Sequence, residues 1–90
     1  MLFAMVLRAH PETLHSRTIR RLHWEYPEGL KVVGEYWLEA EDPSAIVLVE
    51  TERMEALTAC MMAWEDLMDI EIFPALRAEE GLESLRQKMS

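Results

Sequence analysis

The stretch AIVLVET, residues 45–51, decides the fold of this chain. It is apolar from Ala45 to Val49, it is rich in β-branched residues, and the turn-forming run DPS precedes it. A short run of this kind is typical of a strand that is buried on both faces and lies inside a sheet. A second such run, residues 2–7, begins near the start of the sequence. The sequence therefore predicts a sheet with these two segments as its central strands.

The other elements follow from periodicity and from turn residues. Pro11 suits the first position of a helix that runs to about Trp24, and its predicted apolar stripe is His15, Ile19, Leu22 and Tyr26. Further strands are predicted at residues 31–40 and 68–73. A second helix follows Thr51, its predicted N-cap, and a short third helix follows Gly81. The predicted buried face of the second helix is Met54, Leu57, Thr58, Met61, Trp64 and Leu67.

This order of elements, β-α-β-β-α-β with a helical tail, defines an α+β, ferredoxin-like fold. Right-handed crossovers give an antiparallel sheet with strand order 4-1-3-2 and both helices on one face. We expect a single domain over residues 1–90, with a core at 2–74 and a C-terminal helical tail at 75–90. In the second strand, alternation predicts Val33, Glu35 and Trp37 on one face and Val32 on the other.

Composition restricts the functional classes. The net charge of −8 argues against nucleic-acid and anionic-membrane partners. The longest apolar run, residues 1–7, is far shorter than the roughly 20 residues of a membrane helix, and it lacks the features of a signal peptide. The single cysteine, Cys60, predicts a buried inert thiol in a reducing cytoplasmic protein.

The two central strands are apolar on both faces, yet two helices cover only one face of the sheet. Burying some 500 Å² per subunit at ~25 cal/mol/Å² would contribute on the order of 10 kcal/mol before association entropy is subtracted. A second copy packed face to face is the predicted cover, so we expect a homodimer. The C-terminal helix is the alternative cover, but it offers few apolar residues.

The topology, the two-sided strands and the segment WEDLMDIEIFP, residues 64–74, resemble the dimeric α/β-barrel superfamily. Within it, the chain is similar to an uncharacterised family of short domain-of-unknown-function proteins. The resemblance implies a dimer that holds a ligand between its helices and its sheet. Relatives in the superfamily include small monooxygenases, muconolactone-type isomerases, haem-binding enzymes and stress-induced dimers. Because the chain contains no asparagine, the Asn–Trp–His arrangement of haem-degrading relatives cannot form, and no cofactor is predicted.

Several residues are candidates for chemistry. His10, at the end of the first strand, is a candidate for proton transfer or anion binding. Glu35 and Glu50 interrupt apolar strands, and desolvation in a pocket would raise the pKa of either and make it a candidate general base. The candidate ligand-binding residues are Arg8, His10, His23, Trp24 and Trp37. The spacing of the three histidines predicts no metal site.

The first helix carries three basic residues, Arg17, Arg20 and Arg21. The preferred interpretation is that they form a solvated face, and the alternative is that they form an anion-binding rim. Trp64 is predicted to lie in the core. Two functional hypotheses follow. The first is a cytoplasmic dimer that binds a small aromatic or anionic organic molecule, with cofactor-free monooxygenase-like or isomerase-like activity as its catalytic form. The second is a non-catalytic dimeric binding or stress-type interaction module.

Overall fold

The computed structural model describes residues 1–40 and 42–90. Within them it has four strands and three helices in the predicted order. The elements are β1 (Leu2–Ala9), α1 (Leu14–Leu22), β2 (Lys31–Trp37), β3 (Ala45–Glu50), α2 (Met54–Trp64), β4 (Met68–Ala75) and α3 (Ala78–Met89). The strands form one antiparallel sheet in the order β2-β3-β1-β4, which confirms the predicted ferredoxin-like topology.

The core lies between the two central strands and α2. Met5 of β1 pairs with Val47 of β3 and with Ile72 of β4, and all three side chains face the helices. The helix contributes the buried residues Ala56, Leu57, Cys60 and Trp64. The predicted buried face of α2 was partly wrong, because Met54 and Thr58 are exposed and Cys60 points inward.

Helix α1 differs from its prediction in both start and orientation. It begins at Leu14, since Pro11 lies in a turn and Glu12 has a left-handed backbone with φ 62°. The predicted apolar stripe is also wrong, because Ile19 and Leu22 are 47% and 72% exposed. No residue of α1 is buried within the described chain. The inner side of this helix faces a cavity.

A β-bulge in β2 sets which side chains face the helices. The pairing of β2 with β3 shifts between Val32 and Gly34, so that Val32 pairs with Val49 and Glu35 pairs with Val47. Both partners face inward, so the bulge places Val32 and Glu35 on the same face of the sheet. Strict alternation predicted opposite faces. The strand also ends at Trp37, three residues before the predicted Ala40.

Strand β4 continues through Pro74 to Ala75, where the sequence predicted an end at Pro74. Proline is tolerated there because β4 is an edge strand whose outer side needs no N–H donor. Within the described residues, no helix is both long and apolar enough to cross a bilayer.

The sheet face away from α1 and α2 is open. The apolar or aromatic side chains that pairing places on this open face include Ala4, Val6, Tyr36, Ile46, Leu48 and Phe73. Tyr36 and Phe73, on the two edge strands, are 56% and 48% exposed. Helix α3 does not cover them, since none of its residues, all of which are described, is buried.

Candidate functional site: a cavity between α1 and the sheet

A cavity of about 470 Å³ separates α1 from the helix-covered face of the sheet. The sheet contributes apolar side chains that include Met5, Leu7, Val47 and Ile70. The first helix contributes Leu14, Arg17, Thr18 and Arg21. Aromatic rings from Trp24, Tyr26, Trp37 and Trp64 complete the lining. The cavity therefore has an apolar, aromatic body and a polar wall, to which α1 contributes Arg21 and β2 contributes Glu35.

Glu35 is the centre of the polar wall. Arg21 donates to its carboxylate through two atoms, with Nε 2.9 Å from Oε2 and Nη2 3.0 Å from Oε1. The hydroxyl of Tyr26 donates to Oε1 at 2.7 Å, and the indole N–H of Trp37 donates to Oε2 at 2.7 Å. Only 16% of the Glu35 side chain is exposed. Four donors thus hold a largely buried carboxylate in one orientation.

These contacts determine the charge states in the cavity. Burial favours a raised pKa for Glu35, but the hydrogen bonds from Arg21, Trp37 and Tyr26 together hold that pKa below its usual value. The expectation of a raised Glu35 pKa was therefore wrong. Burial and the bond to Glu35 raise the pKa of Tyr26. Burial, reinforced by the charge of Glu35, raises the pKa of the Cys60 thiol to about 11.

Two arginines hold α1 above the cavity. Arg20 donates to both carboxylate oxygens of Asp66, at 2.6 and 2.9 Å, and to the carbonyl of Ala63 at 2.7 Å. Its guanidinium also lies 5.4 Å from the ring centre of Trp64. Arg20 therefore joins α1 to the end of α2, while Arg21 joins α1 to β2.

The aromatic residues that follow α1 form one packed group. Trp24 makes edge-on contacts with Tyr26 and Trp64, at centroid distances of 5.8 and 5.6 Å. Trp64 is buried, as predicted, and it also lines the cavity. Trp37, by contrast, is 69% exposed on the edge strand. The cavity lining therefore combines a packed aromatic group with one largely exposed indole, that of Trp37.

The structure brings three of the predicted site residues to the cavity: Glu35, Trp24 and Trp37. Arg8 does not belong to its lining. Its guanidinium lies on the open-face side of the sheet, where it donates to Asp42 at 2.6 Å and to Glu71 at 2.9 Å. Glu50 is also on the open-face side, where it pairs with Arg77, and this ion pair lowers the pKa of Glu50.

His10 and His23 also lie away from the cavity lining. The ring of His10 contacts the Asp69 carboxylate at 2.8 Å and the Asp66 carbonyl at 3.2 Å. The hydrogen bond with Asp69 is the main cause of a raised pKa for His10, and the hydrogen bond with the Asp66 carbonyl is the second cause. His23 lies in a shallow hollow on the outer side of α1 with His15 and Ile19.

Among the cavity residues that were not predicted as site residues, Arg21 and Tyr26 are the two that donate to Glu35. The preferred reading of Arg21 was a solvated face, and the structure places it in the cavity wall. One signal was present: Arg17 and Arg21 are four residues apart and so lie on one side of a helix. Tyr26 was assigned to a helical stripe, whereas it follows the helix.

The arrangement combines an apolar, aromatic lining with polar groups that are fixed by hydrogen bonds. Among the described residues, no group of three or more histidine, cysteine, aspartate or glutamate side chains is placed to hold a metal ion. Every buried side-chain nitrogen and oxygen atom of the described residues has a hydrogen-bond partner. The polar wall is therefore preorganised before any ligand binds.

No curated protein and no solved structure matches the chain significantly. One family model does, and it covers nearly the whole sequence. The chain belongs to that family, which is described as a domain of unknown function, DUF3303, and is matched over residues 1–89.

Proposed function

We propose that this protein binds a small organic molecule that has an apolar, aromatic body and one anionic group, in the cavity between α1 and the sheet. The cavity of about 470 Å³ carries the proposal. Its size is typical of sites for small ligands, and so is its combination of apolar lining with a few fixed polar groups.

The polar wall supports the anionic part of the proposal. Glu35 occupies the Nε and Nη2 donors of Arg21, which leaves the Nη1 amino group for an acceptor on the ligand. Guanidinium groups bind carboxylates with directed hydrogen bonds, so a carboxylate is the group that fits this wall.

The geometry favours binding over proton transfer as the role of Glu35. A general base needs a lone pair that faces the substrate and a pKa near the working pH. Glu35 instead accepts four hydrogen bonds, and its pKa is lowered. The other candidate bases lie outside the cavity lining, since His10 contacts Asp66 and Asp69 and Glu50 pairs with Arg77. We therefore prefer a binding role to the monooxygenase-like or isomerase-like activity.

We also propose that the protein works as a homodimer through its open face. The centre of this face is apolar, and its two ends carry paired charges, Arg8 with Glu71 and Glu50 with Arg77. A second sheet of the same chain would cover the apolar centre about a two-fold axis. Sedimentation equilibrium should show that the wild-type protein self-associates, and Val6→Glu, at the centre of the face, should lower the average molar mass without unfolding the protein. A monomeric wild-type protein would refute this part of the proposal.

The binding proposal can be tested with a variant that fills the cavity. Thr18 lies on the inner side of α1 and Ser16 on its outer side, so Thr18→Trp should block the cavity and Ser16→Trp is the matched control. The probes are 1-anilinonaphthalene-8-sulfonate, an aromatic anion, and N-phenyl-1-naphthylamine, which has the same rings without the charge. Binding is measured by probe fluorescence at fixed protein concentration.

We expect the anionic probe to bind wild type and Ser16→Trp alike, and to bind Thr18→Trp at least ten-fold more weakly. The neutral probe should bind wild type more weakly than the anionic one. Equal binding to both tryptophan variants would place the probe elsewhere and contradict the proposal. Native mass spectrometry of the protein as purified from cells then reports the subunit count and the mass of any retained ligand.

A further inference from the structure

Helix α3 presents an apolar seam that nothing in the described chain covers. The seam consists of Ala78, Leu82, Leu85 and Met89, which are spaced by four, three and four residues. Leu82, Leu85 and Met89 are 64%, 56% and 86% exposed. This spacing is the a/d repeat of helices that pair along one face. Within the elongated chain, which measures 52 × 28 × 16 Å, the seam is an unpartnered surface.

The charges of α3 are divided between its two halves. The first half carries Glu79, Glu80 and Glu83, and the second half carries Arg86 and Lys88. If the seam residues occupy the a and d positions, Glu79 and Arg86 both occupy e positions beside it. In an antiparallel pair of helices, e positions of one helix lie near e positions of the other. An antiparallel copy would therefore set Glu79 against an arginine at both ends of the seam.

We infer that α3 pairs with α3 of a second copy of this chain, antiparallel and about a two-fold axis, with Leu82 packed against the partner's Leu85. The occupant is a second copy because the charge pattern is complementary to itself in this orientation. A parallel pair would instead place acidic halves together and basic halves together. Antiparallel helices also oppose their dipoles favourably. The inference uses different residues from the ligand cavity and from the open face, so it stands independently of both.

Directed disulfide formation tests the orientation. Two full-length variants, Leu82→Cys and Leu85→Cys, carry different affinity tags and are mixed under a glutathione redox buffer. The native thiol, Cys60, is buried and does not compete. Antiparallel pairing brings position 82 of one chain to position 85 of the other, so we expect the mixed disulfide to exceed either homodisulfide at least ten-fold. A dominant homodisulfide would show parallel pairing, and a statistical mixture would show no pairing. Either result overturns the inference.

Charge reversal gives a second readout on the same reaction. Arg86→Glu, made in both cysteine variants, should slow mixed-disulfide formation at least ten-fold, because acids then face each other across the seam. Adding Glu79→Arg should restore the rate, since opposite charges again face each other. Gln87→Glu is the control for added negative charge, because position 87 lies on the outer side of the helix; it changes the net charge by one unit, whereas Arg86→Glu changes it by two. Equal rates for Arg86→Glu and Gln87→Glu, or a failure of Glu79→Arg to restore the rate, would contradict the pairing. Circular dichroism confirms that each variant keeps its helix content.

Discussion

Arg21 and Glu35 form a two-point ion pair across the polar wall of the cavity, with N···O distances of 2.9 and 3.0 Å. The pair joins the last turn of α1 to β2. Because α1 has no buried residue, its position depends strongly on this pair and on the Arg20–Asp66 pair at the end of α2. The helix is thus held over the cavity by polar contacts more than by a packed apolar face. This arrangement leaves a cavity of about 470 Å³ beneath the helix.

Loss of the Arg21 side chain should destabilise the protein. Arg21→Met leaves Glu35 largely buried without its cationic partner, which is costly. Since Arg21 is itself partly exposed, we expect a loss of about 1–3 kcal/mol in the free energy of unfolding, measured by urea denaturation.

The matched control is Arg53→Met, which breaks the exposed Arg53–Glu55 pair and should cost no more than about 1 kcal/mol. Removing both charges, in Arg21→Met/Glu35→Gln, should recover part of the lost stability. Equal effects of Arg21→Met and Arg53→Met would mean that the cavity pair contributes no more than a surface pair.

The lowered pKa of Glu35 predicts an acid-dependent contribution to stability. The folded-state pKa lies below the usual 4.5, so the ionised form stabilises the fold at pH values above 4.5. That contribution is lost as the pH falls through the folded-state value. The difference in unfolding free energy between wild type and Glu35→Gln should therefore be largest near neutral pH and shrink as the pH falls below 4.5. A difference that stays constant over this range would show that the pKa of Glu35 is the same in both states.

The fold was predictable because its signals are local and redundant. Residues 45–51 and 2–7 indicated the central strands by continuous hydrophobicity, and chain topology then limited the strand order. The details that failed depend on tertiary contacts. The bulge at Val33 changes which residues share a face of the sheet, and the alternating pattern of the sequence does not predict it. The orientation of α1 also failed, because its inner side faces a cavity rather than a packed core.

The candidate site was predicted only in part, because some of its residues carry a local signal and others depend on tertiary contacts. Trp37 and Glu35 were identified as unusual residues on a strand, and the structure brings both to the cavity. Arg21 was visible in sequence only as one cation among several on α1. Its role depends on Glu35, which is fourteen residues away and turned inward by the bulge. Such a pairing requires the three-dimensional register of β2 and β3.

The contact between His10 and Asp69 predicts a titration that one substitution should change. The pKa of His10 is raised above 6.5, chiefly by Asp69, so Asp69→Asn should lower it. The stabilisation from protonated His10 is fully present below pH 6.5 and is lost as the pH rises through the raised value. NMR titration of the imidazole carbon-bound protons measures the change. Glu71→Gln, on the same strand but paired with Arg8, is the control and should leave the His10 titration unchanged. If the His10 pKa were the same in Asp69→Asn as in wild type, Asp69 would not be the cause of the raised pKa.

Gly34 offers a test of the open face that leaves the core untouched. A Cβ at this position would lie 2.7 Å from Oη and 2.8 Å from Cε2 of Tyr36, so the aromatic ring lies directly over the glycine. In Gly34→Ala the ring must swing away from the sheet, which it can do because Tyr36 is 56% exposed. The displaced ring would then project from the surface that we propose as the dimer interface. We expect the dimer dissociation constant, measured by sedimentation equilibrium, to rise about ten-fold, equivalent to about 1.4 kcal/mol.

Gly81→Ala is the control: a Cβ there meets no atom within 4 Å, and the change should stabilise α3 by about 1 kcal/mol without weakening the dimer. If Gly34→Ala left the dissociation constant unchanged, the ring of Tyr36 would lie outside the interface, and the dimer would need a different contact surface.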